Sequence, residues 1–246
     1  MPRYKLLLEY DGTDFVGWQR QNNGFAVQQA LEEAVVRFSR ETVVVHGAGR
    51  TDSGVHAYAQ VAHIDLDRTF PAEKVCDALN YHLKPHKVCV REVHIVDDDF
   101  HARFSATSRA YLYRIINRRP PLVLEKGKAW WVPTQLDAYA MHEAAQVLVG
   151  THDFTSFRAA ACQSLSPVKT LDTLDVSRIG DEIQMVVKAR SFLHHQVRNF
   201  AGTLRLVGLG KWTADDVRAA LEARTRARGG PTAPACGLYL TDVIYD

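Results

Sequence analysis

The stretch "GAGRTDSGVHA", Gly47 to Ala57, constrains the chain most, because its neighbours allow only one kind of local structure. It follows the apolar run Thr42-Val43-Val44-Val45, which reads as a strand leading into the turn. It runs on into "AYAQVAHIDLD", where Ala57, Ala59, Val61, His63 and Asp65 fall on one side. Tyr58, Gln60, Ala62, Ile64 and Leu66 fall on the other. That period of two is a strand signal. A dinucleotide fingerprint requires G-x-G-x-x-G at the opening of a helix, whose N-terminus holds the pyrophosphate. Here Asp52 stands at the third glycine position and a strand follows. No G-x-x-x-x-G-K-[ST] pattern occurs anywhere in the chain. The segment is therefore a strand, a glycine-rich turn presenting Arg50 and Asp52, and a second strand.

The same periodicities organise the remainder. "YKLLLEYDG" is a strand ending in a turn, and "AVQQALEEAVVRFSR" a helix with Val27, Ala30, Leu31, Ala34, Val35 and Phe38 on one stripe. "PAEKVCDALNYHL" is a second helix, and "KVCVREVHIV" a strand. From there the rhythm repeats. "RAYLYRIIN" is a strand, and "DAYAMHEAAQVLVG" a helix with Asp137 as N-cap and Gly150 as stop. "KTLDTLDVSRIGDEIQMVVKARSF" gives two strands around Gly180-Asp181. "HHQVRNFAGTLRLVGLG" and "TADDVRAALEARTR" are helices, the latter capped by Thr213, and "GLYLTDVIY" is a closing strand. Two successive strand-helix-strand-strand-helix halves imply an α+β fold of duplicated units with a mostly antiparallel sheet. The halves are taken as residues 1–105, with the Asp52 turn, and 106–246, with Tyr111 and the basic helix, forming one continuous unit.

The 246 residues, 46% hydrophobic and 24% charged, are ordinary for a globular chain with an ample core. A net charge of +2 does not by itself indicate a nucleic-acid partner, but its distribution does. His101 to Val123 carries Arg103, Arg109, Arg114, Arg118 and Arg119 without one acid. Ile183 to Ala214 carries Lys188, Arg190, Arg198, Arg205 and Lys211, again without one. Two such runs read as a localised positive groove for a polyanion. The four cysteines are scattered, with no C-x-x-C pair, so neither a zinc ribbon nor a disulfide framework is indicated. No apolar run reaches the length of a membrane span, and the start lacks a signal-peptide pattern. A soluble cytoplasmic protein is expected.

Asp52 heads the candidates for chemistry. A carboxylate on a rigid glycine turn can be a nucleophile, a general base or a metal ligand, or it can simply stabilise its own turn. The eleven histidines show no H-E-x-x-H or H-x-H spacing, so no metal is expected. Tyr111 and Tyr113 share a strand face with Arg109, either as sheet core or as a surface for stacking bases. Arg198 lies early in a helix, and Trp18 in a loop is either a binding element or a plug over the core.

Together these stretches resemble the TruA type of tRNA pseudouridine synthase, nearly end to end. The resemblance is carried by "YDGTDFVGWQRQ", "AVQQALEEA", "GAGRTDSGVHAYAQVAH", "FHARFSATSRAYLYRI", "HDFTSFR", "SFLHHQVRNFAGTL" and "APACGLYL". Ala26 departs from the family's usual threonine, a change expected to affect helix capping. The resemblance implies the pseudouridine synthase fold: two similar α/β halves, a bisected and mostly antiparallel sheet, flanking helices and a central cleft. It implies isomerisation of uridine to pseudouridine at positions 38, 39 and 40 of the tRNA anticodon arm, by a homodimer with no cofactor and no metal. By the family pattern Asp52 is the essential carboxylate, attacking C1′ or abstracting a sugar proton. Tyr111 would stack on the flipped base and assist proton removal. Arg50 would help extrude the base or hold its phosphate, and Arg198 would pair with Asp52. The competing readings are a tRNA-binding protein without catalysis and a metal-dependent RNA hydrolase.

Overall fold

The computed structural model describes residues 1–246. Along the chain come β1 (Arg3–Tyr10), α1 (Val27–Ser39), β2 (His46–Gly47), β3 (His56–Asp65), α2 (Ala72–Leu83), β4 (Val88–Val96) and β5 (Ala106–Ile116). These are followed by β6 (Trp130–Trp131), α3 (Ala138–Ala145), β7 (Gly150–Asp153), β8 (Val168–Ile179), β9 (Glu182–Ala189), α4 (Gln196–Gly208), α5 (Ala214–Glu222) and β10 (Leu238–Tyr245). The chain divides into two compact units, Met1–Thr107 with Tyr239–Asp246, and Ser108–Leu238. The class is α+β, and no helix is long and apolar enough to cross a membrane.

In the first unit the strand order is β4-β1-β3-β10, with β2 added to β3. β1 buries Tyr4, Leu6, Leu8 and Tyr10 on one face, as its alternation requires. β4 keeps Val88, Val90 and Val93 inside although their spacing breaks the period of two. A register shift opposite Leu7 and Leu8 inserts Arg91 as an extra residue and returns Val93 to the core face. β3 is buried on both faces from Gln60 to Ile64, so its expected two-sided pattern is masked by its central place between β1 and β10. β10 joins β3 in parallel, a departure from the otherwise antiparallel pairing of this unit.

One expected strand is absent. Thr42 to Val45 is extended but forms no ladder, and β2 is only His46–Gly47, paired with His63 and Ala62. The backbone of Val45 is instead satisfied by α1 side chains, its carbonyl by Gln28 Nε2 at 3.0 Å and its N–H by Glu32 Oε1 at 3.4 Å. Helix side chains thus replaced a neighbouring strand, which periodicity does not reveal.

The second unit orders its strands β5-β9-β8-β7, antiparallel throughout, with β6 parallel to β5. Phe154, Phe157 and Phe200 pack together at centroid distances of 5.2–6.3 Å under α4. Asp137 caps α3 through Ala140 N–H, and Thr213 caps α5 in a reciprocal box with Asp216. Gly150 does not stop α3, which ends at Ala145 and passes through a 3-10 turn. Gly150 opens β7 with φ +106°, a conformation that suits glycine.

A histidine cluster in the first unit ties stability to pH. His63 is buried on β3, where its Nδ1 accepts from Ala102 N–H at 3.1 Å. Rings of His46 and His101 lie 4.9 and 4.7 Å away. Burial, then the proximity of His101, His46 and Arg3, lowers the His63 pKa from 6.5 to about 4. The unfolded chain therefore takes up this proton near pH 6.5 and the folded chain only near pH 4. Stability is expected to be intact above pH 6.5 and to fall as pH drops toward 4, by up to roughly 3 kcal/mol from this group. Urea titrations across that range should show a shallower pH dependence for His63→Gln; an equal dependence would assign the effect to other groups.

Candidate active site

In the first unit, the turn carrying Arg50 and Asp52 is held by the loop that follows β1. Trp18 N–H donates to Thr51 C=O at 3.0 Å, and Gly17 forms an isolated antiparallel bridge with Asp52. Val55 N–H closes the turn on Asp52 C=O at 3.1 Å, and Ser53 Oγ donates to Phe15 C=O. Two glycines make this approach possible. At Gly17 (φ +110°) a Cβ would lie 2.7 Å from Thr51 O, and at Gly47 it would lie 2.5 Å from the Trp18 indole. Trp18 is 2% exposed, so it is the plug over the core and not a binding element. Gly47 thus serves contact between loop and turn, whereas an added Cβ at Gly49 would meet only open space.

The same loop starts α1. Ala26 at the N-cap offers no side-chain bond, as its departure from the family pattern implies. Carbonyls of Gly17 and Trp18 instead accept from Val27 and Gln28 N–H at 3.2 and 3.0 Å. Those bonds satisfy helix donors that otherwise face solvent or a capping side chain. Beneath the turn lies a polar group that the sequence did not flag. Tyr10 hydroxyl and Thr51 Oγ1 are 2.8 Å apart, and Gln60 Nε2 reaches Gly49 C=O at 2.8 Å and Tyr10 hydroxyl at 3.4 Å. Burial pushes the Tyr10 phenol up to about 12, with its bonds to Thr51 and Gln60 working in the opposite direction. Arg50 is exposed and Asp52 half-buried on either side of buried Thr51.

In the second unit, Tyr111 and Tyr113 share the buried face of β5 with Arg109 as expected, but their roles divide. Tyr113 is core: fully buried, it donates to Pro234 C=O at 2.8 Å and lies edge-on to Trp130. Burial holds its phenol well above the ordinary value. Tyr111 keeps 9% exposure and meets Phe192 edge-on at 5.1 Å. Arg109 is a structural donor to Arg190 C=O.

Arg198 occupies the first turn of α4, where Nε donates to Ala233 C=O at 2.8 Å and its own carbonyl accepts from Ala233 N–H at 3.1 Å. This reciprocal pair fixes the guanidinium to the Gly229–Pro234 loop. Asn199 Oδ1 binds Thr232 Oγ1 and Arg226 NH2, and Gly230 N–H donates to Thr203 Oγ1, so the loop is clamped along its length. His195, just before α4, is left-handed (φ 64°), a conformation uncommon outside glycine. The only sequence signal for it was the His194-His195 doublet.

The acid-free runs are less basic in space than in sequence. Arg114 forms a bidentate pair with Glu182 at 2.8–2.9 Å and reaches Glu125 at 3.0 Å. Arg118 lies 3.7 Å from Asp181. Arg205 rests over the Trp130 ring at 5.3 Å. The exposed cations of the runs are Arg103, Arg119, Lys188, Arg190 and Lys211.

Comparison with known proteins gives this geometry its context. A family model described as tRNA pseudouridine synthase matches residues 7–105 and 144–246. The chain is 65% identical over 245 residues to tRNA pseudouridine synthase A of Rhodospirillum centenum, covering all of both chains. It is 62% identical to the protein of that name from Paramagnetospirillum magneticum, covering 100% of this chain and 96% of the relative. For the Maricaulis maris protein of that name the identity is 59%, covering 100% and 98%. The two α+β units, the pinned Arg50–Asp52 turn and these full-length matches agree: the chain belongs to the tRNA pseudouridine synthase family.

Proposed function

We propose that this enzyme isomerises uridine to pseudouridine at positions 38, 39 and 40 of the tRNA anticodon arm, with Asp52 as the essential carboxylate. The observation that carries the reading is the Arg50–Asp52 turn, held by backbone bonds from Trp18 and Val55 with Arg50 exposed and Asp52 half-buried beside buried Thr51, in a chain of this family. The reaction breaks the N1–C1′ glycosidic bond, turns the uracil and rejoins C5 to C1′, with loss of the C5 proton and gain of one at N1. Substrate and product are isomers, so no hydride, phosphate or electron has to be supplied. Attack on C1′ and abstraction of a sugar proton both demand an ionised carboxylate in a fixed direction.

The other residues take roles that fit their surroundings. Tyr111, braced edge-on by Phe192, offers a ring to the flipped base, and its hydroxyl assists proton removal from C5. Arg50, on the Asp52 turn, engages phosphate or holds the extruded nucleotide. Arg198 is proposed to pair with Asp52. Its Nε bond to Ala233 fixes the guanidinium on the first turn of α4, and a planar guanidinium can meet a carboxylate in a two-pronged manner. The enzyme is further proposed to work in the cytoplasm as a homodimer.

Asp52→Asn should fold and bind tRNA yet lose essentially all turnover. Nucleoside analysis of uridine-labelled tRNA checks this, and it separates pseudouridine formation from cleavage and from mere binding. An active Asp52→Asn enzyme would remove the carboxylate from the mechanism.

Tyr111→Phe should keep near-normal tRNA affinity and lose about 10²–10⁴-fold in turnover, the usual size of a general acid–base contribution. Full turnover in that variant would reduce Tyr111 to a stacking platform.

Salt dependence tests the surface. Neutralising Lys188, Arg190 or Lys211 should flatten the plot of log affinity against log salt by about one contact each. Arg114→Gln should leave the slope unchanged, because Glu182 and Glu125 already neutralise that arginine. The reverse ranking would place the phosphate contacts on the ion-paired residues.

A further inference from the structure

We infer that Tyr10, Thr51 and Gln60 are positioning residues for the reaction, a buried network that sets the direction of Arg50 and Asp52. This rests on the reading of Asp52 as the catalytic carboxylate.

Within Gly49–Asp52, alternate residues are gripped from inside. Gly49 C=O receives Gln60 Nε2 at 2.8 Å. Thr51 is bound twice, its carbonyl by Trp18 N–H at 3.0 Å and its hydroxyl by the Tyr10 hydroxyl at 2.8 Å. The same Gln60 amide lies 3.4 Å from the Tyr10 hydroxyl and joins the two grips into one network. Arg50 is exposed and Asp52 half-buried beside the buried Thr51, and the Asp52 carbonyl is itself held by Val55 N–H at 3.1 Å. Tyr10 ends β1 and Gln60 lies in β3, two paired strands with Leu8 opposite Gln60 and a register shift between Leu8 and Tyr10. The network is therefore anchored in the sheet and not in the loop it steadies.

Stability alone does not account for this arrangement. Gln60 is fully buried, and its Oε1 has no hydrogen-bond partner. A buried polar atom left unanswered is destabilising, and it offsets part of what the Nε2 bond to Gly49 contributes. What the amide and the two hydroxyls add is direction, since hydrogen bonds weaken steeply off-axis whereas apolar contacts do not. A small displacement of a reacting group is costly: a shift of about 1 Å can lower a rate about 10²-fold. Phenol protonation is secure as well, because burial raises the Tyr10 pKa to about 12.

The test uses the full-length enzyme and tRNA, with single-turnover rate, tRNA affinity and melting temperature measured side by side. Tyr10→Phe and Thr51→Val should each slow the chemical step by about 10–100-fold while affinity stays within about 3-fold. Thr51→Ser, which keeps the hydroxyl, should recover most of the rate. The Tyr10→Phe/Thr51→Val double variant should be no slower than the worse single, because both remove the same hydroxyl contact. Gln60→Met, which takes the donor from Gly49 C=O, should slow single turnover at temperatures well below its melting point while tRNA affinity stays within about 3-fold, an outcome a merely structural glutamine would not give. Rates within about twofold of the unsubstituted enzyme, losses that multiply in the double variant, or losses confined to tRNA affinity would each overturn the proposal. Asp52→Asn, run in parallel, separates the two readings. If it stays active the carboxylate assignment fails; if it is dead while the network variants are fully active, the network alone fails.

Discussion

The hydrogen bond from Trp18 N–H to Thr51 C=O is the contact on which the first unit's arrangement turns. Gly17 and Trp18 do three things with three backbone groups and one indole ring. They accept from the first donors of α1, they hold the turn of Asp52, and they seat the indole on Gly47. Each hydrogen bond contributes only about 1 kcal/mol, so none alone dominates stability. Their joint effect is geometric. A loop that would be mobile on its own is fixed between a helix start and a strand end, and the turn inherits that rigidity.

The second unit solves the same problem with different residues. Arg198 is fixed by a reciprocal pair with Ala233, as Thr51 is fixed by Trp18. In both cases the functional segment borrows hydrogen bonds from a loop, and the loop is pressed close through glycine. Gly202 lies against Pro231, where an added Cβ would sit 1.7 Å from the carbonyl oxygen. Tyr113 extends the clamp by donating to Pro234, one residue beyond Ala233. The placement of Arg198 is thus set by backbone partners far away in sequence.

This division explains what the sequence disclosed and what it hid. Elements driven by their own periodicity were legible: β1, α1, α2, β8 and β9 lie where the pattern of Tyr4–Tyr10, Val27–Val35 or Leu174–Val187 places them. Caps with a local mechanism were legible too, at Asp137 and Thr213. Segments satisfied by distant partners were not. Thr42–Val45 has a strand's composition, but the backbone bonds of Val45 go to Gln28 and Glu32 of a helix. The face of β4 changes at Arg91 because a bulge depends on the pairing partner. The Asp52 turn was visible as a motif, but its support by Tyr10 and Gln60 joins residues 41 and 50 positions apart. No window of sequence contains that contact.

Charge shows the same limit in energetic terms. A run without acids is locally basic, yet side chains sense neighbours in space. Arg114 sits in such a run and still finds two carboxylates, and its guanidinium holds Glu182 below the usual carboxylate range. Paired arginines of this kind are largely neutralised and do little to attract a polyanion at a distance, whereas exposed lysines act on counterions directly. The electrostatic footprint is therefore a subset of the basic residues, chosen by tertiary structure. Half-buried Arg114 pins a loop to β9, and Arg109 anchors the strand that carries Tyr111. Cations from one stretch of chain divide between those held in ion pairs or buried contacts and those left exposed. Burial, not sequence position, decides which task each performs.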